Sequence, residues 1–213
     1  MTVIVKWRQT AVANDIKQRM VDQAVRLLAM KGLQGASFSE VLEASGAPRG
    51  SLYHHFPGGK EELVLAAMVT AGDRALAFLD GLQGKSAADV TRSFLGLWRM
   101  VLERSNLGAG CAVVAVTVAA DSPALLDGAA RVFGAWRECL AIRLAEGGLP
   151  AQQAPDIAAL LISASEGAVA LARAERSFEP FDRTARQLQA LVEAMARPLN
   201  PPDNSTHESV FRS

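Results

Sequence analysis

Apolar residues recur at three- and four-residue intervals along most of the chain, and no segment with a partner alternates apolar and polar positions as a half-buried strand does. Between about Asn14 and Lys31, the residues Ile16, Met20, Ala24, Leu27 and Leu28 fall on one helical face, and Gly32 stands where a helix stops. Two short helices are predicted next, one starting near Ser37 and one over about Pro48–His55. Longer ones span about Lys60–Leu79, Ala87–Arg104, Cys111–Ala119, Pro123–Glu146, Gln152–Ser177 and Asp182–Arg197. Gly81 and Gly84, Gly108-Ala109-Gly110, Gly147-Gly148-Leu149-Pro150 and Glu179-Pro180 mark the breaks. Val113 to Val118 is rich in valine, but no partner strand accompanies it. The pattern therefore predicts an all-α fold, ending in a disordered tail from about Pro198.

The two short helices carry the most specific chemistry. Ser37 and Glu40 have the S-x-x-E spacing of a capping box, in which hydroxyl and carboxylate each satisfy an orphan amide. Val41 and Ala44 can face inward one turn apart, and Ser45-Gly46 ends the helix because glycine enters the left-handed region without a Cβ penalty. Pro48 suits only the first turn of the next helix. Leu52 and Phe56 share that helix's buried face, which leaves Arg49, Gly50, Ser51, Tyr53 and His54 outward. This is the layout of a helix-turn-helix, whose second helix reads base edges in the major groove. Arg49 has the fork to read a guanine edge, and Ser51, Tyr53 and His54 are phosphate or base partners. A solvated helical hairpin is the plainer alternative. After Pro57-Gly58-Gly59, Lys60 opens a helix whose positive end it opposes, so an external anion such as DNA phosphate explains it better.

The run Leu52-Tyr53-His54-His55-Phe56 followed by Lys60-Glu61-Glu62-Leu63 resembles the hallmark of TetR/AcrR-like bacterial transcriptional regulators, over roughly residues 15 to 75. That resemblance implies DNA contacts from Ser37, Arg49, Gly50, Ser51, Tyr53, His54 and Lys60, with His55 partly buried. It also implies an N-terminal three-helix DNA-binding domain over 14–60 and a C-terminal helical ligand-binding and dimerisation domain over 61–197, with 198–213 as tail. Leu42 stands where the family usually has alanine and Ala47 where it usually has valine, an apparent exchange of core volume. Gly110-Cys111-Ala112-Val113 and Phe133-Gly134-Ala135-Trp136 resemble the LmrA/YxaF-like branch, although Ala112 replaces the usual proline. The branch implies a repressor of a neighbouring gene, bound to a palindromic operator as a homodimer and released by a drug-like or aromatic effector.

Composition fits this reading. A chain of 213 residues, half of them hydrophobic, supports a second core beyond one three-helix unit. With 22 basic and 22 acidic residues the formal net charge is zero, which argues against nonspecific coating of nucleic acid. Residues 1–62 carry eight basic and six acidic side chains, an excess too small to decide anything, so DNA binding needs a local patch doubled by dimerisation. The chain has neither an uninterrupted apolar span nor a signal-peptide pattern, which predicts a cytoplasmic protein without membrane partners.

Small residues Ser163, Ala164, Gly167, Ala168 and Ala172 let another helix approach the segment 152–177. With Leu188, Leu191, Val192 and Met195 they form the expected four-helix dimer interface, placing two recognition helices about 34 Å apart; the same residues also serve monomer cores. Trp98, Met100, Leu102, Phe133, Trp136 and Phe178 are the candidate effector-cavity lining, or else plain core. Glu166, in an apolar run, must reach solvent, pair with an arginine or face a ligand. Cys111 and Cys139 are too few and too separated for zinc or a redox pair, and are read as small hydrophobes with thiol sensing as the minority alternative. Adjacent His54 and His55 point about 100° apart on a helix, poorly for shared metal binding. No phosphate fingerprint or nucleophile elbow is present, so neither an enzyme nor a cofactor is expected. A helical interaction module without DNA binding is the remaining alternative.

Overall fold

The computed structural model describes residues 2–196, with side chains from Asp15 onward; Arg197 and the expected tail at 198–213 lie outside the described residues. Within them the chain forms nine helices and no strand: α1 (Thr2–Lys31), α2 (Phe38–Ser45), α3 (Ser51–His55), α4 (Gly59–Asp80), α5 (Ala87–Arg104), α6 (Ala112–Thr117), α7 (Pro123–Glu146), α8 (Ala154–Glu175) and α9 (Glu179–Met195).

The first helix starts twelve residues before the expected Asn14, because the apolar stripe used to place it marks only the part that packs. Pro48-Arg49-Gly50 forms a turn ahead of α3 rather than its first turn, with the Ser51 amide donating to the Pro48 carbonyl at 2.9 Å. The break expected at Glu179-Pro180 falls just before it, at 176–178, and the proline sits in the first turn of α9, where its missing N–H costs nothing. The valine-rich segment is helical as α6.

Caps fix the ends of the short elements. Ser37 and Glu40 make the full capping box, with the Glu40 amide donating to the Ser37 hydroxyl at 3.3 Å and the Ser37 amide to Glu40 Oε2 at 3.3 Å. Gly46 closes α2 at φ +66°, a left-handed conformation that a Cβ would strain.

Helix α1 lies across α2, α4 and α6; α4 pairs with α7, α7 with α8, and α8 with α9, which folds back onto α5. Met20, Ala24 and Leu28 of α1, Val41 of α2 and Phe56 after α3 are buried together, and this joins the helix-turn-helix to the rest of the core. Each large side chain buried this way contributes about 1.5–3 kcal/mol. Leu42 and Ala47 are both partly buried against that cluster. Close approach of α4 and α7 depends on Gly72, where a Cβ would meet Val132 Cγ1 at 3.0 Å.

Candidate nucleic-acid interface and effector cavity

Leu52 and Phe56 anchor α3 inward, both essentially buried. This anchoring turns the adjacent positions out: Tyr53 is 69% exposed, His54 is exposed beside it, and Arg49 and Gly50 are exposed in the turn before the helix. Among the described residues Arg49 and His54 have no ion-pair or side-chain hydrogen-bond partner, so both are available to an external acceptor. The Tyr53 ring meets Phe38 edge-on at 6.0 Å, which braces its body while the hydroxyl stays free. Burial lowers the His55 pKa, helped by the neighbouring His54 and Lys17 charges, which favours its neutral form.

Three of the expected DNA-contact residues also have internal duties. The Ser37 hydroxyl is occupied by the capping box. Ser51 donates to the Pro48 carbonyl oxygen at 2.6 Å. Lys60 donates to the Leu33 carbonyl oxygen at 2.8 Å, tying the start of α4 to the turn after α1; this gives the lysine a structural role that requires no external anion, although its two remaining protons stay available. Lys31 and Glu40 pair at 2.7 Å across α1 and α2, and that hydrogen bond, followed by those from Ser37, holds the Glu40 carboxyl below its ordinary range.

A cavity of about 270 Å³ lies where α1, α4, α5, α7 and the start of α6 meet. Of the six residues expected to line it, Trp98 and Trp136 do. Phe133 stands edge-on to Trp136 at 5.5 Å, behind the wall. Leu102 is fully buried in the core, Met100 borders a separate surface cleft beside Arg26 and Arg104, and Phe178 lies under the Arg99 guanidinium at 3.9 Å. A helix presents only one stripe to one neighbour, so residues two apart such as Trp98 and Met100 part company. Sequence reasoning missed Phe78 and Phe94, which line the cavity from α4 and α5; their aromatic size was a signal, but which helix faces meet is a tertiary fact.

Glu166 lies beside Cys111 with its Oε1 buried and unpartnered, and burial raises its pKa to about 7 against a small opposing pull from the thiol. It borders an open cleft against the end of α1 and pairs with no arginine among the described residues. Burial raises the Cys111 thiol well above its usual value, with Glu166 adding to the rise; burial and Asp80 raise Cys139. Both shifts favour the thiol over the reactive thiolate, which weighs against a sensing role.

A family model for the N-terminal region, "Bacterial regulatory proteins, tetR family", matches residues 20–67. A second, "Transcriptional regulator LmrA/YxaF-like, C-terminal domain", matches residues 87–187. An uncharacterized HTH-type transcriptional regulator of Mycobacterium tuberculosis (strain CDC 1551 / Oshkosh) is 35% identical over 183 residues, covering 83% of this chain and 93% of the relative. The chain belongs to the TetR family. As a TetR-family member it is a DNA-binding transcriptional regulator rather than an enzyme, and its C-terminal region is of the LmrA/YxaF-like kind despite Ala112. The HTH-type transcriptional repressor DhaR of Mycobacterium sp. (strain GP1) is 25% identical over 206 residues, covering 91% of this chain and 98% of its own. A crystal structure of a TetR transcriptional regulator from Chloroflexus aurantiacus J-10-FL superposes with a TM-score of 0.71 at 30% identity, covering 86% of this chain and 96% of that one. Within this TetR fold α8 is long and apolar enough to cross a membrane by composition alone, yet Ile157, Leu161, Ile162, Val169 and Ala172 are buried in the protein's own core.

Proposed function

We propose that this TetR-family regulator acts in the cytoplasm as a homodimeric repressor, binding a palindromic operator through α3 and leaving it when a small hydrophobic or aromatic effector enters the cavity. Residues 14–60 form the DNA-reading unit in this reading, and 61–197 the effector-binding and dimerisation unit. The observation that carries it is the outward face of α3, where Arg49, Tyr53 and His54 stand together and exposed above the buried Leu52 and Phe56. Arg49 supplies base readout, and Tyr53, His54, Ser51 and Lys60 supply phosphate contacts, with Gly50 admitting the backbone and Ser37 bordering it.

One short helix per chain gives too few contacts for specific binding, and a two-fold dimer doubles them. An exposed stripe of leucines and small residues supports the dimer: Leu160, Ser163, Gly167 and Leu171 on α8, with Leu191 on α9. Ala168, Ala172, Leu188 and Val192, expected at that interface, are instead buried inside the single chain, and Ala164 and Met195 are half-buried against its core. The interface is therefore read from the exposed members alone. The repressor sense rests on the likeness to DhaR, which is named a repressor.

Sedimentation of the protein with labelled duplex from upstream of its own gene tests the reading. Two chains per duplex support it, and saturation at one chain per duplex overturns the dimer.

A further inference from the structure

We propose that the effector is an amphiphilic carboxylate, with its compact apolar body in the cavity and its carboxylate held by Arg26 and Arg104 in the cleft beside it. This rests on the effector reading of the cavity and goes beyond it by assigning the ligand's charged group and the residues that take it.

The cavity and the cleft adjoin. Ala29 of α1 and Val101 of α5 line both, so a ligand that fills the first and passes this pair enters the second. Their chemistry differs. The cavity, about 270 Å³, is walled by apolar side chains apart from Arg74 and takes an apolar body. The cleft sets Arg26 of α1 and Arg104, at the end of α5, beside a floor of Ala29, Met30, Met100 and Val101. Among the described residues no Asp or Glu lines either space.

Two cations at one cleft repel each other and attract an anion. Both arginines are exposed, and neither has an ion-pair or side-chain hydrogen-bond partner among the described residues. The acids within one helical turn of them are committed: Asp22 accepts from Arg74 at 2.5 Å and from Gln18 at 2.9 Å, and Glu103 accepts from Arg99 at 2.7 Å. An external carboxylate supplies the counter-charge, and the guanidinium fork matches its two oxygens. Arg74 keeps donors beyond the one given to Asp22, but the Asp22 carboxylate beside it opposes a second anion. The cleft offers positive charge without that opposition. Because Arg26 and Arg104 stand on different helices, one bound carboxylate joins α1, which packs on α2, to α5.

The test is calorimetric titration of the full chain with 2-naphthoate against 2-naphthamide, which keeps the shape and the carbonyl and removes the charge, and with octanoate against octanamide. Exposed ion pairs are individually weak, so with the apolar body as anchor the two arginines together should favour the acid of at least one pair roughly tenfold in the wild type. That preference should shrink as salt rises. A preference confined to the naphthyl pair assigns an aromatic acid, and one confined to the octanoyl pair a fatty acid. In the double variant Arg26→Gln, Arg104→Gln the acid and its amide should agree within about twofold, with the amide bound as in the wild type. Arg74→Gln should keep the preference; its loss there moves the carboxylate to Arg74 and overturns the assignment. Equal affinity of acid and amide in both pairs for the wild type, or a preference that survives in the double variant, overturns the assignment while leaving the effector cavity standing. Failure of all four compounds to bind the wild type overturns the assignment and the effector reading together. Each single variant, Arg26→Gln or Arg104→Gln, should lose part of the preference, which keeps the assignment testable should the double variant not fold.

Discussion

The backbone amide of Gly110 donates to the carbonyl oxygen of Ala29 at 2.9 Å, so the wall of the cavity is hydrogen-bonded to the last turn of α1. Carbonyls at a helix end lack intrahelical partners, and this one finds its donor in the loop that leads to α6. Arg173 of α8 reinforces the link, donating to the Gly108 carbonyl oxygen at 3.1 Å and the Met30 carbonyl oxygen at 3.4 Å. Helix α1 in turn holds α2 through the Lys31–Glu40 pair. A ligand that displaces residues 108–111 therefore acts on the element that carries the DNA-reading helices.

The first prediction concerns that link. Arg173→Ala should leave folding and effector-free DNA affinity nearly unchanged, since the side chain is exposed, while reducing the effector's weakening of DNA binding by roughly 0.5–2 kcal/mol of coupling. Anisotropy titrations with and without a cavity-bound compound measure the difference. An unaltered effect of the compound removes Arg173 from the coupling.

Arg49→Ala addresses base reading. It should cost about 1–3 kcal/mol on the preferred sequence and flatten the preference at one base pair of each half-site. Titration against a panel of single-base variants reads this out; an equal loss on every sequence assigns Arg49 to the phosphate backbone instead.

The outward face of α3, the proposed DNA-reading surface, was legible in sequence because it is local. A capping box, a glycine stop, and Leu52 and Phe56 four residues apart fix which side chains α3 turns outward, without reference to the rest of the chain. The internal bonds of Ser51 and Lys60 were not, since the Lys60 partner, Leu33, lies 27 residues away. The cavity was half legible for the same reason. Periodicity shows that Trp98 and Trp136 lie on helices but not which helices meet, so Phe78 on α4 escaped notice and Phe178, drawn to Arg99, was misplaced. Small residues on α8 pointed to close packing, yet only coordinates separate Ala168, packed inside, from Gly167, turned out.

That separation gives a prediction for assembly. A Cβ at Gly167 meets nothing within 4 Å, so Gly167→Leu spares the protomer's own core while crowding any partner helix. Light scattering should show a shift from dimer towards monomer at equal concentration. A mass that stays dimeric places the interface elsewhere.

Glu166 predicts a pH dependence. Its carboxyl is raised from an ordinary 4.5 to about 7 by burial, so the folded state holds its proton more tightly than the unfolded state. Stability should therefore fall as pH rises from about 4.5 to about 7 and level off above, by an amount on the order of 3 kcal/mol for this group. Glu166→Gln should remove that decline and be the more stable protein at pH 8. Urea unfolding across this range checks it; parallel curves for the two proteins would show that Glu166 is solvated.

The most direct test of the central claim is fluorescence anisotropy of the purified protein on duplex from upstream of its own gene against scrambled duplex, at two salt concentrations. The account predicts saturable binding that prefers the upstream sequence and keeps that preference as salt weakens both. Equal, weak binding to both duplexes that salt abolishes would contradict an operator there and, with it, the proposed repression of a neighbouring gene.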